Sequence, residues 1–479
     1  MHSGKMTKII ATIGPASESE ETIKKLILSG VNIFRFNLKH NKKEWHIETI
    51  KKVKKAANDL KLKVGVLVDL QGPEVRVETL GEKEIYVKSG EKVVFCSDFD
   101  EVKTVKNELS AGILKVSQKI VVDTLKPRDR FALDDGMFEF EVEYAGENYF
   151  VAESEDEGLI KNGKGLNLIG IEITLPSLIK EDLDKLDADV FNKVDFIALS
   201  FVNSPDDVTT LKYEMNNRII NAEIISKIES KKGVENIEEI IEASYGIMIA
   251  RGDLGVEVPL EQVTHIQKEI IKKCRLKSKP VIVATQMLES MIEKPRPTRA
   301  EAADVANAVY DGTDAVMLSG ESAVGKYPIK SVEVLSKILK FNEGRAHGLE
   351  NFKIKAADFS QSIVSAAMNI LNTEKFHEIH KIIVFTETGY TARVLSSFRP
   401  NIPIIALSNN PGTVNTLTMS YGAVSFYYDF PEGFFSIPAE LSVDLKKKGI
   451  IKENETVIIL HGSKWRDPGK TNALLVTKM

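Results

Sequence analysis

The chain of 479 residues balances 64 Lys and Arg against 69 Asp and Glu, for a formal charge of −5, and is 43% hydrophobic and 28% charged. This composition excludes a disordered chain and gives no bulk attraction to nucleic acid or anionic lipid; at about 150 residues per domain it foresees roughly three domains. Cys96 and Cys274 are far apart without metal-ligand spacing, no run approaches a membrane span, and the opening M-H-S-G-K-M-T-K lacks an apolar leader, so a reducing, cytoplasmic location is expected.

Short apolar runs alternating with helical patterns follow in order. They are K-I-I-A-T-I from Lys8, N-I-F-R-F-N from Asn32, V-G-V-L-V-D-L from Val64, F-I-A-L-S-F-V from Phe196, E-I-I-S-K-I-E from Glu223, Y-G-I-M-I-A from Tyr245, P-V-I-V-A-T-Q from Pro280 and A-V-M-L-S-G from Ala315. Eight near-continuous apolar strands, buried on both faces and mostly followed by amphipathic helices, predict a closed (β/α)8 barrel. The first helix is expected to open at Ser19 or Glu20 and stop at Gly30. Between the third and fourth strands, short alternating segments punctuated by Gly and Asp predict an all-β insertion placed to act as a lid. From about Phe341 strands and helices alternate again, predicting an open α/β sheet. The expected division is residues 1–72 and 174–338 for the barrel, 73–173 for the lid and 339–479 for the C-terminal domain.

Chemistry is expected where the barrel strands end. Lys227 and Glu229 are two apart on one strand and point to the same side, and Asp253 lies just beyond the next strand. One ammonium beside two hard carboxylates suits Mg²⁺ and a phosphorylated anion; taken alone, the Lys–Glu pair reads more readily as a buried ion pair, and the rest of the chain reverses that preference. Polar residues end the other strands too: Arg35 and Asn37, Asp69, Ser200, Gly252, Thr285 and Gln286, then Ser319, Gly320 and Glu321. Agreement across the strands favours an active site at that rim.

Longer blocks make the chain recognisable. T-K-I-I-A-T-I-G-P-A-S, G-P-E-V-R, S-K-I-E, A-R-G-D-L-G-V-E, A-T-Q-M-L-E-S-M-I-E-K-P-R-P-T-R-A-E and D-V-A-N-A-V-Y-D-G-T-D-A-V-M-L-S-G-E-S-A resemble pyruvate kinase over essentially the whole length. The resemblance implies transfer of the phosphoryl group of phosphoenolpyruvate to ADP, giving pyruvate and ATP in the last step of glycolysis, by a homotetramer using Mg²⁺ or Mn²⁺. It implies that Glu229 and Asp253 hold the divalent ion and that Lys227 stabilises charge on the phosphoryl group and enolate. Arg35 and Arg76 would hold phosphate oxygens, Arg76 on the nucleotide side, and the Gly252 backbone the substrate carboxylate. Thr285 would relay the proton to the enolpyruvate carbon through water, a hydroxyl being too weak an acid to supply it. Asn37, His40 and Lys164 resemble nucleotide-side contacts, Lys164 from the lid; His46 is expected to face solvent at a helix start.

The departures from the family pattern concern the monovalent cation. Asn37, Asp69 and Leu70 resemble the K⁺ site, yet the Ser that many members carry two residues after the Asn is here Lys39. Potassium-dependent members tend to read Asp-Thr-Lys-Gly-Pro-Glu and independent ones Asp-Leu-Gln-Gly-Pro-Lys; this chain reads D-L-Q-G-P-E from Asp69 to Glu74, a hybrid. The Lys39 ammonium is expected to occupy the K⁺ site, paired with Asp69 or Glu74, so that catalysis proceeds without K⁺; the alternative is a side chain swung into solvent and a degraded site.

In the C-terminal domain the phosphate loop of an effector site would be Thr386, Glu387, Thr388, Gly389, Tyr390 and Thr391, with Lys464, Arg466 and Lys470 nearby. Glu387 and Tyr390 replace basic residues of members activated by fructose 1,6-bisphosphate, so weak or absent activation by the bisphosphate is expected, with a monophosphate effector compatible. Two rival functions are an aldolase-like lyase, which needs no nucleotide, and a non-catalytic metabolite sensor, against which the intact Lys227, Glu229, Asp253 and Thr285 argue.

Overall fold

A computed structural model describes residues 4–479 apart from 103–109, 135, 172–174, 188–190, 192, 347–351, 374–377, 434–438 and 468–470. Eight parallel strands close into a barrel: Lys8–Thr12, Ile33–Asn37, Gly65–Asp69, Phe196–Leu199, Glu223–Ile228, Gly246–Ala250, Val281–Ala284 and Ala315–Leu318. Each pairs with its successor in sequence, and the last closes on the first with Lys8 opposite Ala315. The expected barrel is therefore observed. The first helix, Glu20–Ser29, is capped by the Ser19 side chain at one end and by left-handed Gly30 (φ 118°) at the other, as the sequence predicts.

Strand periodicity decides which side chains enter the barrel. Ile33, Leu67 and Ile225 fill its interior together with Ile10, Met248, Ile282 and Met317, whereas Phe34, Phe36, Val68 and Ile228 pack outward against the helices. Two residues further along the inward-facing rows come Arg35, Asp69 and Lys227. The same alternation that builds the apolar plug thus delivers charge one layer above it. At the opposite end Met419, from the C-terminal domain, joins the interior cluster and stops the barrel's bottom.

Between Asp69 and Phe196 the chain forms a second closed barrel, of seven strands, ordered Tyr149–Ser154, Lys92–Cys96, Ser110–Val116, Arg76–Thr79, Lys164–Ile169, Arg130–Leu133, Phe138–Ala145. Four phenylalanines carry its core. Phe95 stacks on Phe150 at 4.9 Å and Phe131 on Phe140 at 5.3 Å, with edge-to-face contacts between the pairs. Separate cores rarely share stability. The C-terminal sheet, in the order Ala423–Tyr427, Ile404–Ser408, Ile379–Phe385, Thr456–Gly462, Thr471–Lys478, is parallel except for its last, antiparallel strand. Helices such as Phe359–Leu371 and Tyr390–Ser397 pack on it.

Because Phe131 is wholly buried in a core of its own, Phe131→Ala is expected to destabilise the inserted barrel by about 3–5 kcal/mol. Limited proteolysis should then cut within the insertion while the large barrel survives; simultaneous loss of both would contradict independent cores.

Candidate active site

The barrel mouth holds a buried chain of alternating charge. Arg35 Nε donates to Asp69 Oδ2 at 2.6 Å and its Nη1 to Thr12 Oγ1 at 3.0 Å. Lys227 Nζ lies 3.2 Å from Asp69 Oδ1 and 2.9 Å from Glu229 Oε1, and donates to Ser200 Oγ at 2.9 Å. Glu229 Oε2 in turn accepts from the Phe201 backbone N–H at 2.7 Å. The backbone at Phe201 is left-handed (φ 51°). Burial alone would lower the Lys227 pKa, but Asp69 and Glu229 outweigh it and hold the ammonium above the ordinary lysine range. Burial likewise raises the Asp69 pKa, and Lys227 with Arg35 brings it below the usual carboxylate value.

These groups open on one cavity of about 140 Å³, bordered by Arg35, Asn37, Lys227, Glu229 and Asp253 among others. A larger cleft of about 380 Å³ continues outward between barrel and insertion, past His40, Arg76 and Lys164. Lys39, Glu74, Phe201 and Asp253 border both spaces, so they form the neck between them. At that neck Lys39 Nζ meets Glu74 Oε1 at 2.6 Å, and Glu74 Oε2 meets Arg76 Nη2 at 2.8 Å. Arg76 Nη1 also donates to the Gly163 carbonyl, and Lys164 Nζ pairs with Asp134 at 2.7 Å.

Of the two partners foreseen for Lys39, the structure realises Glu74. Asp69 is committed to Arg35 and Lys227 instead. The Asn37 side-chain oxygen accepts from the Lys39 backbone N–H at 3.1 Å, and the Leu70 carbonyl accepts from Ser200 Oγ at 2.7 Å. His46 corrects an expectation. It is fully buried, not solvent-facing. Its Nε2 sits 2.8 Å from the His40 carbonyl, and Trp45 packs edge-on at 5.0 Å. The helix Lys43–Asp59 turns that face inward.

Thr285 lies beside this site through Gly252, whose N–H donates to Thr285 Oγ1 at 2.9 Å; Oγ1 itself donates to the Ala284 carbonyl at 2.6 Å. The eighth strand contributes less than its polar end suggests. Glu321 is buried, accepting from Leu288 N at 3.0 Å and Ser319 N at 2.8 Å, and so ties two loops together.

The effector-loop residues also converge. Thr386, Thr388, Thr391, Lys464 and Arg466 border one pocket of about 40 Å³ that Glu387 and Tyr390 share. Gly389 (φ 76°) makes the turn into the helix, its N–H donating to Thr386 Oγ1. Tyr390 Oη bonds Asp358 at 2.7 Å, and Lys470 lies outside the described residues.

Comparison with known proteins fits this geometry. The family model "Pyruvate kinase, barrel domain" matches residues 4–332 and "Pyruvate kinase, alpha/beta domain" residues 361–477. The chain belongs to the pyruvate kinase family. A pyruvate kinase of Bacillus licheniformis is 36% identical over 477 residues, covering 98% of this chain and 80% of that one, and one of Staphylococcus epidermidis is 35% identical over the same shares. The solved structure of a pyruvate kinase from Cryptosporidium parvum superposes with a TM-score of 0.87 at 32% identity, covering 99% of this chain and 96% of that one. The protein is thus a phosphotransferase of glycolysis, with phosphoenolpyruvate and ADP as substrates and pyruvate and ATP as products. A lyase or a bare sensor is set aside.

One residue of this pyruvate kinase site escaped the sequence reading. Thr285 (φ 65°) and Gln286 (φ 53°) are consecutive non-glycine residues in the left-handed region, a strained turn that needs outside support. Arg251 supplies it. Its Nη2 donates to the Thr285 carbonyl at 2.6 Å and the Gln286 carbonyl at 3.3 Å, while Nη1 pairs with Asp304 at 2.6 Å. The signal was available: an Arg directly after a fully apolar strand is buried only if something receives its fork of donors. Arg251→Lys is expected to lower kcat about 10–100-fold by loosening Thr285, with KM for phosphoenolpyruvate changed about twofold at most. Asp304→Glu, which keeps the clamp, should retain most activity; a change confined to KM or to thermal stability would contradict the assignment.

Proposed function

We propose that the Arg35–Asp69–Lys227–Glu229 chain is the phosphoryl-transfer centre. The observation carrying this reading is that Lys227, Glu229 and Asp253 border one cavity. Glu229 and Asp253 are hard oxygen donors suited to Mg²⁺ or Mn²⁺; among the described residues no group of three or more His, Cys, Asp or Glu stands ready as a cage, which fits an ion completed by substrate oxygens and water. When bound, that ion neutralises charge on the phosphoryl oxygens and the enolate. Lys227, held as an ammonium, shields the transferring phosphoryl group and then the enolate oxygen, and Arg35 orients the phosphate.

The Gly252 N–H receives the substrate carboxylate. It now donates to Thr285 Oγ1, so an arriving carboxylate competes for that donor and frees Oγ1 to accept a proton from water, while its own O–H turns from the Ala284 carbonyl to pass one, through water, to the enolate carbon. Transfer thus breaks the phosphate–enol oxygen bond, forms a bond to the terminal phosphate oxygen of ADP, and ends with protonation of the carbon to give pyruvate. Asn37, His40, Arg76 and Lys164 serve the nucleotide side, with residues 73–173 as the lid over the 1–72 and 174–338 barrel. Burial, then Lys39 and Arg76, depress the His40 pKa, which suits a neutral contact.

Lys39 stands in for K⁺. Its ammonium at 2.6 Å from Glu74 provides at the neck the single charge that most family members draw from solvent. Activity in tetramethylammonium buffer, assayed by ADP-dependent pyruvate release, is expected to gain no more than about twofold on adding K⁺. Lys39→Ser should fall by about a hundredfold without K⁺ and recover with it; strong stimulation of the parent enzyme by K⁺ would overturn the reading.

Residues 339–479 form an effector and assembly domain, in a cytoplasmic homotetramer. The small pocket at Thr386–Thr391, with Glu387 on its wall, favours a single phosphate over two. The phosphoenolpyruvate saturation curve is expected to shift by less than about twofold on adding fructose 1,6-bisphosphate; a strong leftward shift would contradict this.

A further inference from the structure

Glu229 is aimed from a neighbouring loop. The Phe201 N–H that donates to its Oε2 at 2.7 Å belongs to a left-handed, non-glycine turn (φ 51°) after the fourth barrel strand, and such a turn persists only where its surroundings hold it. One side of the turn is laced to the loop that carries Glu229. Val202 N donates to the Lys227 carbonyl at 3.3 Å, Ser230 Oγ to the Asn203 side-chain oxygen, and Asn236 Nδ2 to the Asn203 carbonyl at 2.8 Å. The two loops run so close that a Cβ on Gly233 would meet the Val202 carbonyl oxygen at 2.7 Å.

Asp207 fastens the other side. Its Oδ2 accepts from Asn203 N and Ser204 N at 2.9 Å each and from Ser204 Oγ at 3.3 Å, and its Oδ1 accepts from Ser177 Oγ at 2.9 Å. The Ser204 bonds complete the capping box of the helix Pro205–Asn217, a device of helix stability. A cap accounts for neither Asn203 nor Ser177. Asn203 extends the grip backward into the turn at Phe201, and the buried Ser177 lies where the chain re-enters the large barrel from the insertion. A little further along, Asp182 holds Gln71 N and Gly72 N, where the chain departs. Both connections of the lid are thus gathered on the segment 177–182, and Asp207 ties that segment to the turn that orients Glu229.

We propose, resting on the reading of Glu229 as an ion ligand, that Asp207 is a positioning residue for the divalent ion and its link to the lid. Oδ2 fixes the turn that points the Phe201 N–H at Glu229, and Oδ1 carries the position of the lid's base to that same turn. A ligand carboxylate with one oxygen on a fixed donor presents the other to the ion already oriented, so loosening the donor weakens the metal. The link works in both directions. If the lid's base sets the turn, an ion on Glu229 steadies the lid's base by the same free energy.

Mn²⁺ binding to the full-length enzyme without substrates, followed by water-proton relaxation, tests the arm toward the ion. Asp207→Ala is expected to weaken Mn²⁺ binding about tenfold. Asp207→Asn should return to within about threefold of the parent, since its amide oxygen can accept from Asn203 and Ser204 while its NH2 donates to Ser177 Oγ. Glu229→Gln serves as the reference. Weakening in Glu229→Gln but not in Asp207→Ala, whatever the melting temperature does, overturns the proposal and leaves Asp207 a helix cap; no weakening in either overturns the ion-ligand assignment on which it rests. Ser177→Ala, a mild change, tests the arm toward the lid by hydrogen–deuterium exchange of residues 164–171. Mn²⁺ should slow that exchange about fivefold in the parent and less than about twofold in Ser177→Ala. Equal slowing in both would overturn the link between ion and lid.

Discussion

Four charges buried in the barrel mouth hold one another in place. Arg35, Asp69, Lys227 and Glu229 alternate in sign, so each one's desolvation is offset chiefly by its neighbours. None of them could be buried alone. The arrangement is rigid for the same reason, since a side chain that swung away would leave an uncompensated charge behind. A phosphoryl substrate approaching this layer meets donors already oriented, with no reorganisation left to supply.

The geometry above that layer depends on a few backbone positions with unusual torsions. Gly72 turns left-handed (φ 70°) where the chain leaves the barrel for the insertion, and a Cβ there would meet Ser200 Cβ at 2.6 Å. Asp182 grips the same turn, accepting from Gln71 N at 2.8 Å and Gly72 N at 3.0 Å. From this fixed exit the Lys39–Glu74–Arg76 chain runs along the neck. Glu74 couples barrel and insertion, because that one carboxylate bridges the barrel cation Lys39 to the insertion cation Arg76. Strain at Phe201, Thr285 and Gln286 belongs to the same economy: left-handed turns aim a donor or hydroxyl at the mouth, and buried side chains of the rim hold them there.

At the barrel's other end Met419 closes the interior, and Asp314 binds Arg399, Ser396 and the Tyr421 backbone of the C-terminal domain. The two domains therefore share a core residue and a buried ion pair.

The sequence by itself determined the architecture and the reacting groups. Period-two alternation put Lys227 and Glu229 on one side of a strand, apolar runs marked the eight strands, and the family blocks named the reaction. These properties are local, or repeat along the chain, and so survive in one dimension. Only the tertiary structure decided which charge answers which. Lys39 had two candidate carboxylates, and Asp69 was withdrawn because Arg35 and Lys227, from other strands, reach it first. His46 is buried because its helix turns that face toward Phe36, and the use of Arg251 became visible only when a turn 34 residues away offered its carbonyls. Pairing inside a closed barrel is a contest among side chains brought together by folding, and their order along the chain does not record its outcome.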